Sequence, residues 1–299
     1  MPRIGVLWHA GSAAEEAIFL AAFRQGLADL GYIEGKNIAV EHRFPAEAPE
    51  RFRSMAAELV GLKMDVLVAA GQPPALALQQ ATSTITIVFA AAFDPLGTGL
   101  VTNLARPTGN ITGLSAPDLI GKRLEIFKEA VPSLTRVAVL VNATNPSYAH
   151  RYIESVRDDA AKLNLVFQPI EVDGASDLER AFAAVAPDAG TGLATSADVM
   201  FYANRKRMAE LALARRVPAM FQNEEFVRVG GLISYGTDVA AIFRRSAVYV
   251  DKILRGQKAS DLPVEQPVLF RLFVNLKTAR ALDLTLPPLL LTRADEVIE

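Results

Sequence analysis

The residues able to do chemistry in this chain are dispersed rather than clustered. His9, His42 and His150 are its three histidines, and no two of them have the short spacing of metal ligands. With no cysteine, a disulfide, a thiolate nucleophile, a zinc–thiolate site and an iron–sulfur cluster are all excluded. The glycine patterns that cradle phosphates are missing too. The turn after the first apolar run reads Trp8-His9-Ala10-Gly11-Ser12 rather than G-x-G-x-x-G, and Gly121-Lys122 lacks the earlier glycine of a P-loop. Gly113-Leu114-Ser115-Ala116-Pro117 departs from a nucleophile elbow at its last position. No metal and no cofactor is therefore expected. What remains is a scatter of small polar and aromatic side chains. They offer donors, acceptors and flat apolar faces, which is the chemistry of binding.

The elements that must position these side chains follow a clear alternation. Short apolar runs at 3–9, 37–43, 65–70, 84–93 and 110–115 read as strands. Between them, 15–30, 51–62, 73–81 and a short stretch at 96–104 read as helices. Phe19, Phe23, Leu27 and Leu30 fall on one face of the first helix. The pattern then restarts, since 136–142 (RVAVLVN) echoes 3–9 (RIGVLWH). A helix bearing Ile153, Val156, Ala160 and Leu163 on one face follows. Strands are expected at 166–172, 192–196, 218–222 and 231–235, and helices at 177–185 and 202–215. The tail reads as a helix at 240–255, a strand within 263–275, a short helix at 276–282 and an irregular close from Pro287. Strands alternating with helices predict an α/β fold of two Rossmann-like lobes with parallel sheets.

Composition is that of an ordinary soluble globular protein. The 299 residues suffice for about two domains. Apolar residues make up 51% and charged residues 21%, and 31 basic against 33 acidic side chains leave a net charge of −2. That balance gives no electrostatic footprint for nucleic acid or an anionic membrane. No apolar run approaches the length of a transmembrane helix. The first strand starts two residues after Met1 with no signal peptide before it, so the expectation is either a cytosolic protein or one numbered after removal of a leader.

In open parallel sheets, ligands bind in the crevice beyond the carboxyl ends of the strands. In the first lobe those ends carry Trp8, His9, Gln72, Phe93, Asp94 and Ser115; in the second they carry Asn142, Asn145, Ser196, Asp198, Asn223 and Tyr235. Trp8, Phe93 and Tyr235 suit a planar apolar group. Asn142, Ser196 and Asn223 suit a carboxylate or carbonyl, and Asp94 or Asp198 an amine. Each polar position has a plainer alternative. Asp, Asn and Ser after a strand commonly cap the next helix, Asp94-Pro95 reads as a turn initiator, and Trp8 reads equally as a core aromatic. The basic cluster Arg205-Lys206-Arg207 with Arg215-Arg216 reads most simply as a solvated helix face.

Three stretches carry a resemblance. They are Asp94-Pro95-Leu96-Gly97-Thr98-Gly99-Leu100-Val101 running into Leu104-Ala105-Arg106-Pro107-Thr108-Gly109-Asn110-Ile111-Thr112-Gly113; Gly230-Gly231-Leu232-Ile233-Ser234-Tyr235-Gly236; and Tyr249-Val250-Asp251-Lys252-Ile253-Leu254 through Asp261-Leu262-Pro263-Val264-Glu265-Gln266-Pro267. With Asn275-Leu276-Lys277-Thr278-Ala279 and the closing Arg293-Ala294-Asp295-Glu296-Val297-Ile298, the chain resembles bacterial ABC-transporter substrate-binding proteins over essentially its whole length. Members with known ligands bind aromatic amino acids. The resemblance implies a type I periplasmic-binding fold with a three-crossing hinge. Residues 1–115 with 239–264 form one lobe, 116–238 with 265–299 the other, and the ligand lies in the cleft between them. It also implies a periplasmic monomer that is not an enzyme and that delivers an aromatic or branched amino acid, or a related carboxylate, to a membrane permease. The family usually has a small polar residue before the Asp-Pro pair, where this chain has Phe93. A two-lobed sugar-nucleotide transferase or epimerase, and a sensor domain for a signalling partner, are the competing readings.

Overall fold

The computed structural model describes residues 1–144, 146–185, 188 and 190–299. The chain divides into two compact units: Met1–Asp118 with Val239–Val268, and Leu119–Asp238 with Leu269–Glu299. It therefore passes from one unit to the other three times.

In the first unit, β1 (Arg3–Leu7), α1 (Ala17–Asp29), β2 (Ala39–Arg43), α2 (Pro49–Gly61), β3 (Val66–Ala70), α3 (Gln72–Ala81), β4 (Thr86–Ala92) and β5 (Ile111–Ser115) alternate. The second unit continues with α4 (Ile120–Ala130), β6 (Arg136–Asn142), α5 (Pro146–Lys162), β7 (Val166–Val172), α6 (Leu178–Ala183) and β8 (Thr191–Thr195). Then come α7 (Val199–Ala203), α8 (Arg205–Ala214), β9 (Ala219–Phe221), α9 (Glu224–Arg228) and β10 (Ile233–Gly236). Helix α10 (Val239–Leu254) returns to the first unit. β11 (Arg271–Asn275), α11 (Leu276–Ala281), α12 (Pro288–Arg293) and β12 (Glu296–Ile298) complete the second.

The five-stranded sheet has the order β2-β1-β3-β4-β5 and is parallel throughout. Strands β3, β4 and β5 are buried almost end to end, as expected of parallel strands covered on both faces. The order dictates that cover. The chain steps outward from β1 to β2, then back past β1 to β3, and right-handed crossovers in opposite directions put their helices on opposite faces. Accordingly α1 packs on α10, and α2 packs on α3.

The seven-stranded sheet has the order β12-β11-β10-β9-β8-β6-β7. Its first five strands in sequence repeat the order of the other sheet, with β6 in the place of β1. The echo between RIGVL and RVAVLVN thus marks two strands in equivalent positions. β11 runs antiparallel to β10, and β12 runs parallel to β11.

Three local expectations are corrected. Residues 96–104 form turns instead of a helix. Pro95 and the positive φ of Gly99 (71°) interrupt it, and the Asp94 carboxylate accepts from the Gly97 N–H at 2.9 Å. Leu100 and Val101 still enter the core. The predicted helix at 202–215 is two helices, α7 and α8, joined at Asn204. The strand expected within 263–275 is β11 at Arg271–Asn275, and ahead of it Glu265 bridges β5, donating its N–H to the Gly113 carbonyl at 3.0 Å. The close of the chain is regular, with α12 followed by β12. Among the described residues, no helix is long and apolar enough to cross a membrane.

Candidate functional site

In a sheet of this order, neighbouring loops diverge where the winding reverses, and a crevice opens at that switch point. In the first unit the switch lies between β1 and β3, whose ends lead into Trp8-His9 and Gly71-Gln72. Gly71 has φ 92°, a left-handed conformation natural to glycine, and it turns the chain straight into α3 so that Gln72 is buried.

Trp8 is fully buried. Its ring stacks on Phe44 (centroids 6.1 Å apart) and on Phe243 (5.8 Å), and its indole N–H donates to His42 Nδ1 at 2.9 Å. That bond requires a neutral His42 with its proton on Nε2. Burial pushes the His42 pKa down, in keeping with it. The His9 ring lies with Nδ1 3.7 Å from Glu47 and its centroid 5.6 Å from that of Phe52.

The backbone N–H groups of His9 and Ala10 converge on one oxygen of Glu16, at 3.1 and 2.9 Å. Glu16 precedes α1 and is 1% exposed. Burial raises its pKa despite those two bonds. Its other oxygen, Oε2, is buried without a hydrogen-bond partner among the described residues.

At the far end of this sheet, β4 is irregular. Its register against β5 slips between Ala90 and Ala92, and Ala91 takes a φ of 57°. Such a bulge redirects whatever follows it, here Phe93 and Asp94. Phe93 is half-buried and Asp94 exposed. Asp94 also has a positive φ (43°), and its carbonyl accepts the Thr98 N–H and hydroxyl, so it builds the turn that it opens. Ser115 is buried, with its N–H donated to the Glu265 carbonyl at 2.9 Å.

In the second unit the switch lies between β6 and β8. Asn142 ends β6, and its side-chain amide crosses to Asp198 Oδ1 at 3.0 Å. The Asn142 carbonyl oxygen accepts from the Thr144 N–H and hydroxyl. Asp198 Oδ1 also accepts the Met200 N–H at 2.8 Å and so caps α7. Ser196 follows β8, fully buried, and the Gln222 amide donates to its carbonyl at 2.6 Å. Asn223 follows β9. A Cβ at Gly236 would collide with the Gln222 carbonyl oxygen, so glycine lets β10 approach this corner closely.

Ser196 Oγ and Asn223 Oδ1 are both buried without a hydrogen-bond partner among the described residues, at the ends of adjacent strands. Tyr235 is half-buried on β10, 6.2 Å from the Phe270 ring. Glu225, at the start of α9, has its pKa raised first by burial and then by Glu224 and Asp238, with Arg205 opposing. Asn145 lies outside the described residues.

The candidates thus fall into two groups, one at each switch point, with Phe93, Asp94 and Ser115 beyond the first and Asn223 and Tyr235 beyond the second. Glu16 escaped the sequence reading because an acid in a helix's first turn looks like ordinary dipole pairing. The spacing from β1 to α1, short enough to fold the acid back on His9, was its one available signal.

Two doubly wound units, each with a mainly parallel sheet whose first five strands in sequence share one order, and each gathering polar side chains at its strand ends, define the type I periplasmic-binding architecture. The chain belongs to the ABC transporter substrate binding protein family, whose sequence model matches residues 14–298. Its class of work is substrate binding and not catalysis. It is 26% identical over 262 residues to a tyrosine-binding protein of Clostridioides difficile (strain R20291), covering 88% of this chain and 75% of that protein. Among solved structures, a conserved domain protein from Vibrio cholerae O1 biovar El Tor superposes with a TM-score of 0.90 at 28% identity, covering 99% of both chains. An ABC domain from Streptococcus pneumoniae in complex with L-Trp superposes with a TM-score of 0.88 at 23% identity, again over 99% of both.

Proposed function

We propose that this chain is the periplasmic receptor of an ABC importer and that it captures an aromatic amino acid. The observation that carries the reading is the pair of buried, unpartnered polar atoms, Ser196 Oγ and Asn223 Oδ1, on neighbouring strand ends. A buried polar group without a partner costs about 1–3 kcal/mol. A ligand bearing both donors and acceptors removes that cost, so such atoms favour polar substrate over apolar cargo. Phe93 and Tyr235, half-buried at strand ends of their respective units, offer faces for a flat side chain. His9, Gln72, Ser115 and Asn142 supply further polar surface, while Trp8, Asp94 and Asp198 hold the frame through their local bonds. The tyrosine and tryptophan bound by the relatives agree with this chemistry.

The three chain crossings serve as a hinge in this reading. Ligand binding closes the protein, and the closed form is what a membrane permease recognises. A thermal-shift panel tests the ligand class: tyrosine, tryptophan and phenylalanine raise the melting temperature, and stabilisation by sugars or metal ions alone contradicts it. Small-angle scattering tests closure, with a smaller radius of gyration expected on saturation.

A further inference from the structure

We infer that Glu16 receives the ammonium group of the ligand, an inference that rests on the amino-acid reading above. A zwitterionic ligand brings one cation into the site, and a desolvated cation needs an anionic partner. Asp94 and Asp198 are the strand-end acids that the sequence offers for an amine. Each already commits a carboxylate oxygen: Asp94 to the Gly97 backbone N–H, Asp198 to the Met200 backbone N–H and the Asn142 side-chain amide. Asp94 is also exposed, where an ion pair is worth little.

Glu16 also commits one oxygen to backbone N–H groups, but it differs in burial. It is 1% exposed, and it belongs to the loop that leaves β1 at the switch point. The His9 and Ala10 N–H groups hold Oε1 in place and leave Oε2 enclosed without a partner among the described residues. The neighbouring acid Glu15 is occupied by the Ser12 hydroxyl at 2.7 Å. Two backbone donors on one oxygen fix the carboxylate plane, so the second oxygen is presented in a set direction before ligand arrives. Glu16 is thus preorganised as a cation acceptor. Electrostatic attraction inside such a site is far stronger than in water.

The experiment compares two ligands on two proteins: L-tyrosine and its des-amino analogue 3-(4-hydroxyphenyl)propionate, on the full chain and on Glu16→Gln. Glutamine keeps an oxygen for the His9 and Ala10 N–H groups, so the fold is retained. Calorimetry on the unaltered chain is expected to show the analogue binding on the order of 30-fold or more weaker than tyrosine. Glu16→Gln weakens tyrosine by a similar factor and leaves the analogue nearly unchanged. Equal affinity of the unaltered chain for the two ligands overturns the inference without any variant. So does a Glu16→Gln protein that binds tyrosine normally, or one that loses tyrosine and analogue equally. If the unaltered chain binds no aromatic amino acid, the amino-acid reading fails and this inference with it; tyrosine binding insensitive to Glu16 removes this inference alone.

Discussion

The two switch points are built on the same strand order and finished with opposite chemistry. At the first, the side chains nearest the strand ends are tied up by their own unit: Trp8 by His42, Asp94 by Gly97 and Thr98, Ser115 by Glu265. Among the described residues, Glu16 Oε2 and His42 Nε2 stay buried there without a hydrogen-bond partner, the latter 3.7 Å from Glu34. At the second, Asn142 and Asp198 lock to each other, while the unpartnered atoms Ser196 Oγ and Asn223 Oδ1 are neutral. Among the described residues, the same strand order thus leaves a carboxyl oxygen unpartnered in one unit and neutral oxygens unpartnered in the other. Asn223 Oδ1 can only accept and Ser196 Oγ can donate or accept, so a ligand group meeting both must carry a hydrogen-bond donor.

The largest expected effect separates frame from site in the first unit. Trp8→Ala removes a fully buried indole from between Phe44 and Phe243, and should cost about 3–5 kcal/mol in chemical denaturation. A loss under about 1 kcal/mol would show that Trp8 is not core. In the second unit the comparison predicts the reverse pattern. Ser196→Ala and Asn223→Ala delete Ser196 Oγ and Asn223 Oδ1, which have no hydrogen-bond partner among the described residues, so stability should hold within about 0.5 kcal/mol while tyrosine affinity falls about tenfold. Large unfolding losses with intact affinity would move both residues from the site into the frame. Asp198→Ala should cost about 1 kcal/mol of stability through the lost cap of α7, with a smaller change in affinity. An affinity loss that exceeds its stability loss would place Asp198 at the ligand.

Two pH effects are smaller and opposite in sign. The His42 pKa is held below its ordinary value by burial and by Arg24, against Glu34 and Glu41. The folded form therefore prefers neutral His42. This contribution is complete above the ordinary histidine pKa and is lost as pH falls toward the folded value. The protonated ring can no longer accept from Trp8, so the emission of the chain's single tryptophan should shift across that acid window and stay constant above it. Glu16 behaves conversely. Its raised pKa contributes stability below the ordinary carboxylate range that is lost as pH rises through the folded value. Glu16→Gln should therefore melt higher than the unaltered chain at neutral pH, with the difference shrinking in acid. A variant that melts lower at neutral pH would mean that the charged carboxylate is favoured in the free fold.

Much of this was legible in the sequence, for a physical reason. Parallel strands buried on both faces read as unbroken apolar runs, so β1, β3, β4 and β6 stand out, and the repeat of RIGVL in RVAVLVN marks equivalent positions. Elements whose formation depends on competition between local and distant bonds were not legible. Residues 96–104 have helical spacing, yet the Asp94 carboxylate and the Gly99 turn take their backbone elsewhere. The slip at Ala91 leaves no mark in an alanine-rich run. Helix α9 is too short to show a period. At the site, strand-end position named residues but could not say which were already satisfied. Partnership is three-dimensional, and only packing separates Trp8, with its N–H spent on His42, from Asn223, with its oxygen unpaired.

The central claim is that this chain binds an aromatic amino acid. Calorimetric titration of the full chain, freed of any carried ligand, with L-tyrosine and L-tryptophan tests it most directly. The account predicts saturable binding of at least one of them at one ligand per chain, with a negative heat-capacity change from aromatic burial. No saturable heat with either amino acid, alongside tight binding of a sugar or another uncharged solute, would contradict it.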